Sequence, residues 1–118
     1  MKRFLAIYTG NADARQRSGW DALDPATRGE REQAGMTAWG AWMERNQRRI
    51  VEAGGPLGRT KRVTAAGIED FRNQMTGYVV VEAESHEEAA RLFENHPHFA
   101  IFPGEGVEIM ECLPIPTA

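Results

Sequence analysis

The chain has 118 residues, of which 42% are hydrophobic and 26% are charged, and its formal net charge is −3 at pH 7. This composition is typical of one globular domain with one core, spanning residues 1–118, and it excludes an intrinsically disordered chain. The small acidic excess gives no general attraction to nucleic acid, and no apolar run is long enough to span a bilayer, so neither partner is expected.

The first strand is predicted over residues 3–9, because aromatic and aliphatic residues alternate there without a breaker. Residues 10–23 are polar and contain glycine, which favours a loop. Trp20 and Leu23 are expected to fold back from this loop onto the body of the protein.

A long helix is predicted from Pro25, because Asp24 can accept hydrogen bonds from the free N–H groups of a first turn and proline suits the first helical position. We expect the helix to run to about Glu52. Gly29 is expected to divide a short leading piece from the main helix, since a glycine weakens a helix by roughly 1 kcal/mol relative to alanine.

The main helix has an apolar side and a charged side. The apolar stripe consists of Met36, Trp39, Met43 and Ile50, widened by Trp42 and Val51. The solvent side consists of Glu44, Arg45, Arg48 and Arg49. The sequence AGGPLG is expected to end the helix, with Gly54 or Gly55 in the left-handed conformation and Pro56 preventing continuation.

The second half repeats the alternation of strand and helix. Residues 56–64 are predicted to form a strand with exposed basic residues, 65–77 a long hairpin connection, and 77–84 a central strand with three consecutive valines. Ser85 and Glu88 form a capping box that begins a helix ending near Asn95. A loop over 99–105 leads to the last strand, in the sequence GVEIMECLPI.

The predicted order is strand, helix, strand, strand, helix, strand. This order indicates an α+β, ferredoxin-like split βαβ fold (βαββαβ), with a four-stranded antiparallel sheet and both helices on one face. The opposite face of such a sheet would be left uncovered in a chain of 118 residues. We therefore expect a homodimer that packs sheet face against sheet face.

The segment GYVVVEAESHEEAARLFENHPHFAIFPGEGVEIMECLPIP resembles the YCII-related domain family, and the upstream EAGGPLG resembles the helix-to-strand turn of that family. The resemblance implies a dimeric α+β barrel. Some YCII-like proteins pair a histidine on the first helix with an aspartate, and one branch removes chloride from hydroxylated aromatic rings. That histidine would fall near Ala38 or Trp39, and no histidine precedes His86, so neither a catalytic residue nor that activity is carried over.

His96 and His98 flank a single proline and are the candidate acid/base residues, because imidazole titrates near neutral pH. The reading we prefer for His96 is architectural: a cation at the carbonyl end of the helix, which Pro97 then stops. His98 is the better catalytic candidate, because it lies past the helix, toward a possible cleft.

A ligand pocket is predicted between the first helix and the sheet, near Tyr8, Trp39, Met43, Pro56 and His98. The aromatic and methionine stripe of the helix could line it, although such a stripe more often belongs to a core. The Tyr8 hydroxyl could point into the cleft or lie in water. We expect the ligand to be a small apolar or aromatic molecule.

The remaining polar groups are assigned structural roles. Asp70, Arg72 and Asn73 are expected to be solvated. Arg59, Lys61 and Arg62 are expected to oppose unwanted strand pairing. His86 is expected to be exposed and Cys112 buried and inert. These residues do not count toward a site.

A single cysteine excludes an internal disulfide and a cysteine-paired zinc site, which favours a cytoplasmic protein without a metal. No glycine-rich phosphate loop is present, so no cofactor is expected. The function predicted is a small-molecule-binding homodimer. An enzyme that uses His98 or His96, and a structural or regulatory subunit that associates through its sheet face, are the alternatives.

Overall fold

The computed structural model describes residues 1–117. A 3₁₀ turn, Trp20–Ala22, lies between the first two helices. The helices are α1 (Ala12–Ser18), α2 (Pro25–Arg45), α3 (His86–Arg91) and α4 (Pro97–Ala100). The strands are β1 (Lys2–Thr9), β2 (Ile50–Pro56), β3 (Thr60–Thr64), β4 (Gly67–Phe71), β5 (Met75–Ala83) and β6 (Gly106–Glu111).

Four of the strands form one antiparallel sheet in the order β2-β5-β1-β6. β5 is an interior strand of this sheet, as its run of valines predicted. Alternate residues of β1 and β5 face α2 and α3, which lie on the same side of the sheet and complete the core. The predicted fold class, an α+β ferredoxin-like split βαβ, is confirmed.

Trp42 is the largest side chain of the core contributed by α2, with 2% of its surface exposed. Its indole Nε1–H donates to the carbonyl oxygen of Leu92 at 2.8 Å, which ties α2 to the segment after α3. Met36, a member of the predicted apolar stripe, is 67% exposed. The buried line of the helix therefore runs through Trp42 rather than Met36.

The predicted end of the first helix near Glu52 is wrong, because α2 ends at Arg45. Asn46 follows as the cap, and its side-chain amide donates to the carbonyl oxygen of Trp42 at 2.9 Å. Ile50 then begins β2, so that pairing with β5 overrides the helical pattern. Gly29 does not divide the helix, which is continuous across it.

Gly54 does not end a helix but forms an irregularity in β2. Its φ is +63°, and the pairing of β2 with β5 changes register between Glu52 and Gly55. A Cβ at Gly54 would lie far inside van der Waals contact of the Tyr78 carbonyl oxygen. Glycine is therefore required both by the backbone conformation and by the close approach of β5.

Residues 10–23 are not a loop, because α1 and the 3₁₀ turn occupy most of them. The side chain of Asn11 caps α1 by accepting a hydrogen bond from the Ala14 N–H at 2.8 Å. The sequence of α1 has no apolar residues at helical spacing, and a capping residue alone does not predict so short a helix. Trp20 folds back onto the body as expected and is 5% exposed.

β3 and β4 form a separate two-stranded hairpin, so residues 60–64 do not join the main sheet as predicted. Among their residues only Thr60 is partly buried. The radius of gyration is 16.4 Å, whereas a compact chain of this length has about 13.5 Å, because the hairpin projects from the body. Lys61 pairs with Asp70 at 2.6 Å, and Arg62 pairs with Glu69.

The Ser85 hydroxyl accepts from the N–H of Glu88 at 3.1 Å, which is the Ser85 half of the predicted capping box. The Glu88 carboxylate pairs with Arg49 at 3.0 Å. α3 itself is shorter than predicted and gives way to turns that reach Asn95, whose φ is +58°. Cys112 is exposed, contrary to the prediction, because it follows the last residue of β6. Among residues 1–117, no helix is long and apolar enough to cross a membrane.

Candidate functional site

A cleft of about 650 Å³ opens between α2, the β2–β5 edge of the sheet and the segment after α3. Tyr8, Trp39, Met43, Pro56 and His98, the five residues predicted to bind a ligand, all lie along its wall. The residues of the wall that were not predicted include Phe102, Thr76 and Tyr78, together with backbone of β2 at 53–55. That these residues bind a ligand stays a prediction.

Each side of the cleft comes from a different element. Trp39 and Met43 are four residues apart on α2 and so lie on one side of the helix. Tyr8 comes from the core face of β1, and its ring centre is 4.9 Å from that of Trp39. Pro56 ends β2, where the edge strand forms the opposite lip.

The prediction that His96 is a cation at the carbonyl end of a helix is wrong. His96 is fully buried and caps the N-terminus of α4 instead. Its ring centre is 4.6 Å from that of Trp39 and 4.8 Å from that of Trp42, both edge-on. Burial, with a smaller contribution from neighbouring His98, lowers the pKa of His96 to about 4, so the imidazole is neutral near pH 7.

His96 joins the cleft wall to the core through two hydrogen bonds. Its Nδ1 lies 3.0 Å from the backbone nitrogen of His98, and its Nε2 lies 3.3 Å from the hydroxyl oxygen of Tyr8. Tyr8 is 4% exposed, so its hydroxyl does not lie in bulk water. Burial raises the pKa of Tyr8, and the phenol is therefore neutral at physiological pH.

The side chain of His98 is fixed by a backbone carbonyl group at the end of β1. Its Nε2 lies 2.7 Å from the carbonyl oxygen of Thr9, and the side chain is buried against Gly104. Burial lowers the pKa of His98, and the Thr9 carbonyl opposes that effect by favouring the protonated ring. The imidazole is thus a neutral base fixed beside the cleft.

Among the described residues that form the wall of the cleft, none is a lysine, arginine, aspartate or glutamate. Its polar side-chain groups are those of Tyr8, His98, Thr76 and the indole N–H of Trp39. The side chain of Tyr78 alternates to the opposite face of the sheet, and its hydroxyl donates to Glu52 at 2.8 Å. Within residues 1–117, no three histidine, cysteine, aspartate or glutamate side chains are grouped as metal ligands would be. The arrangement suits an uncharged ligand with a flat apolar body.

The other polar groups lie away from this cleft. His86 is exposed, as predicted, and its ring stacks on Phe4 while Nε2 lies 2.7 Å from the Ile109 carbonyl oxygen. A second, more polar groove at the base of the hairpin is lined by residues that include Arg59 and Arg72. All of its lining residues except Thr60 are exposed, and Asn73 donates to the Thr60 hydroxyl at 3.1 Å within the groove.

No model of a protein family matches this chain. No curated protein matches it either. A solved structure does match it: the 5-chloro-2-hydroxyhydroquinone dehydrochlorinase of Burkholderia phenoliruptrix AC1100 in complex with 2,5-dihydroxybenzoquinone. The TM-score is 0.52 at 18% identity, over 92% of this chain and 90% of that one. The likeness shows that the two chains share a fold.

Proposed function

We propose that residues 1–118 form a single YCII-like domain that binds a small, uncharged apolar or aromatic molecule in the cleft. The observation that carries this proposal is the wall of the cleft, where Tyr8, Trp39 and Phe102 present aromatic surface and no charged side chain is present. A volume of about 650 Å³ lies within the usual range of roughly 300–1,000 Å³ for small-molecule sites.

The structural neighbour supports this reading. By its name it acts on a chlorinated hydroxyhydroquinone, and its structure holds a dihydroxybenzoquinone, which is a flat ring. The size and apolar character of the present cleft suit a flat ring too. The dehydrochlorinase chemistry itself is not part of the proposal, because the histidine that some YCII-like proteins carry on the first helix has no counterpart here.

Binding is tested with indole, a flat, uncharged and water-soluble probe, added to ¹⁵N-labelled protein and followed by chemical-shift changes. We expect shifts at the Trp39 side-chain N–H and at the amide of Gly55. Trp39→Ala should weaken binding about tenfold, because an aromatic contact and its buried area contribute about 1–2 kcal/mol. Phe99→Ala is the matched control, since Phe99 is 37% exposed and lies outside the cleft.

If indole causes no shifts in the cleft, the small-molecule proposal fails, and a subunit that only associates with other proteins becomes the better description. Shifts that are unchanged by Trp39→Ala would place the probe elsewhere and would contradict the site. The amide spectrum of each variant shows whether the fold is retained.

The proposed assembly is a homodimer that packs through the sheet face opposite the helices. This face carries Leu5, Tyr78 and Val80 on the interior strands and Met110 on β6, which is 40% exposed. Facing sheets pack about 10 Å apart, and two copies would cover each other's apolar residues.

Sedimentation at micromolar concentration tests the dimer. The unmodified protein should sediment as a dimer, and Leu5→Glu should shift it to a monomer, because a carboxylate would be buried in the interface without a partner. Ile68→Glu is the control, since Ile68 is 73% exposed on the hairpin. A monomer of the unmodified protein would remove the dimer from the proposal.

The second candidate function is an enzyme that uses His98 or His96 in acid/base chemistry. His98 favours it, because a neutral imidazole fixed in a cleft beside Tyr8 can accept a proton. His96 has no route to a ligand except through Tyr8. The test is a screen of aromatic compounds for turnover, in which His98→Gln abolishes activity and His86→Gln does not. Turnover that survives His98→Gln would exclude the role.

The proposed location is the cytoplasm, which rests on the single cysteine of the chain.

A further inference from the structure

The hydrogen bonds around His96 determine which of its ring nitrogens carries the proton. Nδ1 lies 3.0 Å from the backbone nitrogen of His98, which can only donate. Nδ1 must therefore be the acceptor and carry no hydrogen. A neutral imidazole then has its proton on Nε2.

This tautomer fixes the direction of the next hydrogen bond. The His96 Nε2–H faces the Tyr8 hydroxyl oxygen at 3.3 Å, so histidine donates and tyrosine accepts. The proton of the Tyr8 hydroxyl cannot also point at His96. Within residues 1–117 this hydroxyl has no other partner, and Tyr8 lies on the wall of the cleft. Its O–H is therefore free to donate to a ligand.

His98 has the complementary polarity. The Thr9 carbonyl oxygen can only accept, so the His98 Nε2–H donates to it at 2.7 Å and the neutral ring leaves Nδ1 without a proton. Among the described side chains, Arg28 Nε is the one buried nitrogen or oxygen without a hydrogen bond. The His98 Nδ1, which has no partner among residues 1–117, therefore keeps contact with solvent. His98 lines the cleft and also a shallower groove beside Gly104.

We propose that His96 is a positioning residue that turns the Tyr8 hydroxyl toward the cleft, where it forms a donor–acceptor pair with Nδ1 of His98. The centres of the Tyr8 and His98 rings are 5.2 Å apart and both residues line the cleft, and on this ground we assign both to one polar group of a ligand. The inference rests on the proposed small-molecule site and names the class of ligand. The ligand has a flat apolar body and an uncharged polar group that both accepts and donates, as an amide does.

The charge of the ligand follows from the wall of the cleft. No cationic side chain is present there to pair with a carboxylate, and no anionic one to pair with an amine. A charged group would lose its hydration without compensation. A group that only accepts would leave the His98 Nδ1 unpaired when the ligand covers it.

The first test measures the tautomers directly at pH 7 by long-range ¹H–¹⁵N correlation of the imidazole rings. We expect His96 and His98 both to be protonated on Nε2 alone. Capping of α4 by His96 Nδ1 requires the same tautomer, so this test checks the direction of the hydrogen bond to Tyr8, and the comparison of ligands below checks the positioning role. A proton on Nδ1 of His96 would reverse the Tyr8 hydrogen bond and overturn the inference, whether or not any ligand binds.

The second test compares benzamide, acetophenone and benzoate, which share one ring and differ in the polar group. Benzamide accepts and donates, acetophenone only accepts, and benzoate is an anion. We expect benzamide to bind at least fivefold more tightly than acetophenone and at least tenfold more tightly than benzoate, by chemical-shift titration. Tyr8→Phe should weaken benzamide binding about fivefold, with Phe99→Ala as the unchanged control.

The outcomes separate this inference from the proposal on which it rests. Equal affinity for benzamide and acetophenone, with both seated in the cleft, would overturn the donor–acceptor pair and leave the small-molecule site standing. If neither these compounds nor indole binds, the small-molecule site fails, and the assignment of a ligand class fails with it.

Discussion

Acidification should destabilise this protein through His96 well above the pH at which its carboxylates titrate. The pKa of His96 falls from an ordinary value of 6.5 to about 4 in the folded protein, because the ring is buried. In the unfolded chain His96 becomes protonated near pH 6.5, whereas in the folded chain it becomes protonated only near pH 4. The free energy of unfolding is therefore unaffected by His96 above pH 6.5 and decreases as the pH falls from 6.5 toward 4.

The magnitude follows from the difference between the two pKa values. At about 1.4 kcal/mol per pKa unit, the full loss is about 3 kcal/mol, of which about 2 kcal/mol falls between pH 7 and pH 4.5. His98 acts in the same direction, because burial lowers its pKa too. The titratable groups bonded to His96 are Tyr8 and His98, and the other rings packed on it carry no charge.

Urea unfolding at pH 7.0, 5.5 and 4.5 measures the effect. In His96→Gln the loss between pH 7.0 and 4.5 should be smaller by about 2 kcal/mol, whereas the control His86→Gln should keep the slope of the unmodified protein. Asp21 and Asp24 are exposed and have lowered pKa values, so their influence is confined to lower pH. A free energy of unfolding that is flat from pH 7.0 to 4.5 would refute the buried neutral state of His96.

Three further predictions concern two glycine positions and the hairpin. Gly54→Ala should lower the free energy of unfolding by about 2 kcal/mol or more, through a positive φ and a clash with β5, while Gly55→Ala, where a Cβ meets nothing, should be nearly neutral; urea unfolding of both variants tests this. Gly104→Ala should displace the imidazole of His98, and the histidine ring resonances should shift or broaden in its NMR spectrum, whereas unchanged resonances would contradict the contact. Replacing residues 61–70 by Asn-Gly should change the melting temperature by less than about 5 °C, because the hairpin is exposed; a larger loss would show that it supports the sheet.

The order of elements was predictable because each core element carries its own signal. The capping residue Asp24 begins α2, the valine run forms the interior strand β5, and the capping box at Ser85 begins α3. The segment from Asn46 to Pro56 was misassigned, because its apolar residues fit a helical stripe as well as a strand. Pairing with the backbone of β5 selects the strand over the helix, and this pairing is a tertiary contact that the local sequence does not contain.

The position of the cleft was also predictable, since Trp39 and Met43 face the sheet from a helix whose direction the pattern gives. The role of His96 was not. Its contact with Tyr8 spans 88 residues of sequence and depends on the short turn of α4, which carries no periodic pattern. A histidine before a proline is typical of an exposed helix end. His96 differs from that case because it is fully buried, which the sequence does not indicate.

The cleft is walled by the first strand, by α2, by the β2–β5 edge and by the segment around His98 and Phe102, so it draws on both ends of the polypeptide. A compound bound in the cleft therefore contacts the folded chain as a whole, because neither half of the sequence forms the cleft by itself. Occupancy should therefore raise the melting temperature of the whole chain. The free energy of unfolding should rise by about 2.7 kcal/mol when the compound is present at 100 times its dissociation constant. A melting-temperature screen of a compound library can accordingly search for the natural ligand without any assay of turnover.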